Sequence, residues 1–141
     1  MFGNDRDSLR RYYCMVWRKA NASQPLEPLE QIIAGVIRDH PEYQPVVTDA
    51  ETALGHEYTP ELGQTNPFLH MGMHIAIQEQ LGSNRPAGIL DVYQQLCRRL
   101  ADPHTAEHQM MECLGETLWE AQRAGREPDE WVYLERLRRL A

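Results

Sequence analysis

Long apolar runs are missing from this 141-residue chain, and none approaches the roughly 20 consecutive apolar residues that a membrane span requires. The opening stretch, MFGNDRDSLRRYYCMVW, carries acids and arginines where a signal peptide carries its apolar segment, so an unexported, soluble protein is expected. Cysteine is scarce. Cys14, Cys97 and Cys113 are odd in number, far apart and form no CxxC, which argues against a disulfide framework or a thiolate zinc site and fits a reducing cytoplasm. Positive charge is also short: the formal net charge of −7 argues against broad attachment to nucleic acid or anionic lipid. The arginines that do cluster, at Arg98, Arg99 and toward residue 139, suit the ends of helices, where basic groups complement the helix dipole.

Several motifs are absent as well. There is no strand-like alternation, internal repeat or low-complexity tract, and no glycine-rich phosphate loop. Neither the HExxH pattern of metalloproteases nor the ExxH pair of ferritin-like bundles occurs. No Ser, Cys or Thr is tied by local spacing to a base and an orienting acid, so nucleophilic catalysis has no motif and no catalytic residue is assigned.

What the chain does contain is helical periodicity, with 42% hydrophobic residues, enough for one core. Leu9, Tyr12, Tyr13, Val16, Trp17 and Ala20 recur at helical spacing, followed after a polar, proline-marked link by Leu29, Ile32, Ile33, Val36 and Ile37. That second helix is expected to stop near His40, before Pro41. Pro45, Gly55, Pro60 and Gly63 then interrupt the pattern. Residues 41–65 therefore read as an irregular connection with one short helical turn around Thr48 to Leu54, and with His56 and Glu57 exposed.

Asn66 and Pro67 form a cap-plus-proline start for NPFLHMGMHIAIQEQL. At about 100° per residue, its apolar residues point in nearly every direction, which predicts a buried central helix near residues 67–81. Beyond it, Pro86 is expected to open a helix with Ile89, Val92, Tyr93, Leu96 and Leu100 inward, and Asp102–Pro103 to open the longest one, ending at Gly125. A last helix from about Pro128 should turn Trp131, Leu134, Leu137 and Leu140 inward and pair Glu135 with Arg139. The expected fold is all-α: a single-domain bundle of five or six helices spanning residues 1–141.

Two histidine pairs stand out. His70 and His74 lie one turn apart on the central helix, which offers no polar face, and a buried group without a partner costs about 1–3 kcal/mol. His104, His108, Glu112 and Glu116 follow one another at four-residue steps on the long helix. Imidazole and carboxylate donors on neighbouring helices can converge on a divalent ion at about 2 Å, and i,i+4 spacing allows this. The predicted metal ligands are His70, His74, His108 and Glu112, with His104 and Glu116 as outer members, and the candidate ions are zinc, iron and manganese. These HxxxH and HxxxE pairs resemble those of haemerythrin-like bundles, although the number and order of helices differ. Met71, Met73, Met110 and Met111 read as core filler, and Cys113 points away from the histidine stripe.

NPFLHMGMHIAIQEQ, RPAGI, HTAEHQMMECLGETLWEAQRAG and PDEWVYLERL together resemble the bacterial family of domain of unknown function 1841, over nearly the whole chain. The resemblance implies a cytoplasmic bacterial protein and brings no activity with it. Two readings of function follow from the residues: a divalent-metal site between two helices, or a non-catalytic helical interaction module whose histidines are satisfied by hydrogen bonds. No nucleic-acid or membrane partner is expected. A homo-oligomer is compatible with the sequence.

Overall fold

In the computed structural model, which describes residues 3–55, 58 and 66–141, helices α1 (Gly3–Asn21), α2 (Pro28–Asp39), α3 (Gln44–Thr48), α4 (Ala50–Gly55), α5 (Pro67–Ser83), α6 (Ile89–Leu100), α7 (Pro103–Ala124) and α8 (Glu130–Leu140) follow in order. A 3-10 turn at Pro41–Tyr43 joins α2 to α3, and no strand occurs among the described residues. The all-α class thus holds, with more helices than the five or six expected. The excess lies in α3 and α4, five and six residues long, in the first half of the stretch read as irregular. His56 and Glu57 lie outside the described residues.

Local signals set most helix ends. The Asn66 side-chain oxygen accepts from the backbone N–H groups of Phe68 at 3.0 Å and Leu69 at 3.3 Å, and Pro67 fills the position where an N–H has no helical acceptor. Asp102 caps α7 by accepting from the N–H groups of His104 and Thr105, and Gly125 ends that helix at φ 65°, a left-handed conformation that glycine adopts without penalty. The start of α6 departs from expectation. Gly88, at φ 99°, precedes Ile89, and the Asn84 side chain accepts from the N–H groups of Gly88 and Leu90, so the helix opens three residues after Pro86.

Contacts group the chain into two compact units, Met1–Ile75 and Ala76–Ala141. In the first, α1 packs on α2, α3 and α4 around Tyr13, Val16, Ile33, Ile37, Val47, Phe68 and Met71. Fully burying a side chain such as Ile33 or Ile37 contributes about 1.5–3 kcal/mol. Arg10 is buried among these residues: its Nη1 donates to the Ala53 carbonyl at 2.7 Å, and its guanidinium lies 4.6 Å from the Phe68 ring centre. Leu9, read as a core position, is exposed, because α1 turns the neighbouring Arg10 and Tyr13 inward instead.

In the second unit, α6, α7 and α8 pack on one another around Ile89, Leu96, Met110, Leu114, Leu134 and Leu137. Arg136 ties α8 to α7 through both Glu120 carboxylate oxygens at 2.7 Å and the Thr117 hydroxyl at 3.0 Å. The Tyr133 hydroxyl donates to Gln80 Oε1 at 2.7 Å, and burial pushes that phenol up from its ordinary pKa. Two expectations for α8 are corrected. Trp131 sits in the first turn and is 69% exposed, because the inward face is set by Tyr133, Leu134 and Leu137. Glu135 pairs with Arg138 one position earlier than foreseen, at 2.8 Å.

Candidate metal centre

Helix α5 is less enclosed than its composition implies. Phe68, Met71, His74, Ile75 and Ile77 are buried, but Leu69 is 68% exposed and Met73 only partly covered. The helix therefore has one wet side, and His74 lies away from it. His74 is 0% exposed and His70, one turn earlier, is half-buried, with ring centres 4.9 Å apart and planes at 69°.

A third imidazole, which sequence patterning did not single out, closes on this pair. His40 stands at the C-terminal cap of α2, where Pro41 ends the helix and turns the chain. Its ring centre lies 4.2 Å from that of His74 and 4.9 Å from that of Tyr43, and Tyr43 in turn meets the edge of His70 at 6.0 Å. His40 Nδ1 is 2.7 Å from the Val36 carbonyl oxygen. A carbonyl can only accept, so the proton is assigned to Nδ1 and the lone pair to Nε2. Burial, reinforced by Glu42, pushes the Tyr43 phenol up to about 12, so it stays protonated at neutral pH. The sequence signal for His40 was its place as the last residue before a helix-ending proline, which fixes its position in the chain but not its neighbours.

On α7, His104, Glu112 and Glu116 are exposed and His108 is half-buried, while Ala106, Met110, Cys113, Leu114 and Ala121 form the covered face as the periodicity predicts. The His104 and His108 rings lie 4.3 Å apart, and His108 Nδ1 is 3.0 Å from the His104 carbonyl oxygen. The same acceptor argument leaves the lone pair of His108 on Nε2, the state in which an imidazole ligates a metal. His70 and His74 belong to the first unit and His108 to the second, and each can offer one imidazole nitrogen to a metal ion. Glu112, Glu116 and His104 are not in that group. The sequence also passed over Glu107, a buried carboxylate that accepts from Gln78 Nε2 at 3.2 Å. Its only signal was that it lies on neither the polar stripe nor the purely apolar face of α7.

Residues 5–139 match the model of a family described as a domain of unknown function, DUF1841. No curated protein and no solved structure matches the chain. Among the described residues, no helix is long and apolar enough to cross a membrane.

Proposed function

We propose, for a chain that belongs to the domain of unknown function 1841 family and takes no assigned activity from it, that the His70 and His74 pair on α5 binds a divalent metal ion, with His108 on α7 as the further ligand that the sequence pattern suggests. The observation that carries this reading is the pair of imidazoles one turn apart on α5, His70 half-buried and His74 fully buried. Zinc–nitrogen bonds of about 2.1 Å at tetrahedral angles place donor atoms roughly 3.4 Å apart. The ring spacing agrees. Two imidazoles sharing one ion at such bond lengths have centres about 5 Å apart, and those of His70 and His74 are 4.9 Å apart. Three neutral nitrogen donors suit zinc first, and iron or manganese with additional oxygen donors. Three protein ligands leave a coordination position open to water or a small acidic ligand, the arrangement of catalytic rather than structural zinc sites. His104, Glu112 and Glu116 stand outside this inner set, and their exposure favours solvent-facing roles.

Elemental analysis of protein purified without a histidine tag tests the reading. A stoichiometric metal that disappears in the His70→Ala, His74→Ala double variant supports it, and a folded wild-type protein that takes up no divalent ion refutes it.

The exposed tryptophans favour a second reading, in which the chain is a helical interaction module. Trp119 and Trp131 are both largely exposed, and the Arg123 guanidinium lies 4.8 Å from the Trp119 ring centre. A protein that stays monomeric and co-purifies with nothing, with or without these side chains, speaks against that module.

A further inference from the structure

We propose that His40 is a positioning residue for the metal pair on α5: it holds the His74 imidazole in the orientation that ligation needs. This rests on the metal reading above and uses only groups of the first unit. A histidine on a helix turns about two side-chain bonds, and two such rings share one ion only when each directs a nitrogen at the same point, about 2 Å away. The four-residue spacing of His70 and His74 brings both rings to one stripe of α5 without choosing those rotations. A group packed against the pair has to choose them. His40 stands nearer to His74 than His70 does: the ring centres are 4.2 Å apart with planes at 50°, against 4.9 Å between His74 and His70.

His40 can set the His74 ring because it is itself fixed from two sides. Its Nδ1–H donates to the Val36 carbonyl at 2.7 Å, a backbone acceptor in the last turn of α2. Its ring stacks on that of Tyr43 at 4.9 Å with planes 20° apart, and Tyr43 is buried on the 3-10 turn that Pro41 opens. The hydrogen bond fixes the rotation of the buried His40 imidazole and the stacked phenol fixes its tilt, so it meets His74 as a rigid wall. The same turn reaches the other ligand, since the Tyr43 ring meets the edge of His70 at 6.0 Å. Partners that orient a ligating histidine are worth about 10- to 100-fold in metal affinity. Among the described residues, the imidazoles with ligand spacing do not include His40, so its part is orientation rather than ligation.

Two variants separate the parts of this wall. His40→Asn keeps an N–H for the Val36 carbonyl and removes the ring, whereas His40→Phe keeps a ring and removes the hydrogen bond. The control is Ile33→Ala, which weakens the same helix at a fully buried position one turn or more from His40. The probes are Co(II), followed by its visible absorption, and Zn(II) in competition with a chromophoric chelator, using the full untagged chain. The expected result is a 10- to 100-fold loss of Co(II) and Zn(II) affinity and a moved Co(II) absorption band at saturation in both His40 variants, with wild-type affinity and band in Ile33→Ala. Wild-type affinity, or an unmoved Co(II) band, in either His40 variant overturns this proposal while leaving the metal reading standing. An equal loss in Ile33→Ala also overturns it, as does loss of the native circular dichroism by both His40 variants in chelator, since each assigns His40 to folding alone. Absence of Co(II) and Zn(II) binding by the wild type overturns both readings.

Discussion

Replacing His108 by alanine should separate metal binding from folding. The ring is half-buried, its Nδ1–H bonds to the His104 carbonyl of its own helix, and alanine is the best helix former, so the metal-free protein should change by no more than about 1 kcal/mol. The metal-loaded protein should behave quite differently. At a free ion concentration of about 100 times Kd, binding stabilises the folded state by roughly 2.7 kcal/mol. Loss of one of three ligands should weaken binding by at least about 100-fold, the upper end of what even an outer partner contributes. The same free ion then sits near Kd and stabilises by only about 0.4 kcal/mol. For a chain of this length each kcal/mol corresponds to about 3–5 °C. The metal-dependent rise in melting temperature should therefore shrink from about 10 °C to about 1–2 °C. Calorimetric scans of untagged protein in chelator and in buffered free zinc read both quantities. A variant that retains the full metal-dependent rise would show that His108 is not a ligand, whatever its distance from His70 and His74.

Three further outcomes follow from the fold. Leu137→Ala, at a fully buried position, should cost about 2–5 kcal/mol, whereas Trp131→Ala should cost roughly 0.5 kcal/mol or less. Chemical denaturation of the two variants checks this, and equal losses would contradict the orientation of α8. The Asp102 carboxyl is held below its usual range by the Thr105 hydroxyl and by the N–H groups of His104 and Thr105. Its contribution to the start of α7 should thus be present above the unfolded carboxylate value of about 4 and be lost as pH falls through the lower folded value. Amide exchange in the first turn of α7 should show this acid loss in the wild type and not in Asp102→Asn, and identical profiles would count against the cap. Burial pushes the thiols of Cys14 and Cys113 up, so both should alkylate slowly near pH 8 until the protein is denatured. Rapid native-state labelling of either, read by mass spectrometry, would contradict that burial.

Local chemistry made much of this protein legible before its structure. Asn66–Pro67, Asp102–Pro103 and Gly125 each act within one turn of chain, so a cap needs only the right residue at the right offset, and all three helix ends lie where the sequence puts them. The covered face of α7 was equally readable, because a helix of 22 residues repeats its pattern often enough to define a direction. Short elements gave less. In the 11-residue α8, Trp131 fits the inward spacing, yet its place in the first turn leaves it uncovered. The same limit applies to α5, whose apolar residues look alike all round although Leu69 ends in solvent.

By itself, the sequence determined the all-α class, the major helices and the angular order of side chains on each, including the i,i+4 steps of His70 to His74 and His104 to His108. Hydrogen bonding and 3.6-residue periodicity are properties of a single segment. Tertiary structure decided which imidazoles meet. It brought His40, thirty residues before His70, to within 4.2 Å of His74, exposed Glu112 and Glu116, and buried Glu107 against Gln78. The physical reason is that periodicity fixes where a side chain points around its own axis and carries no information about the group that stands opposite. That information resides in the packing of one helix against another.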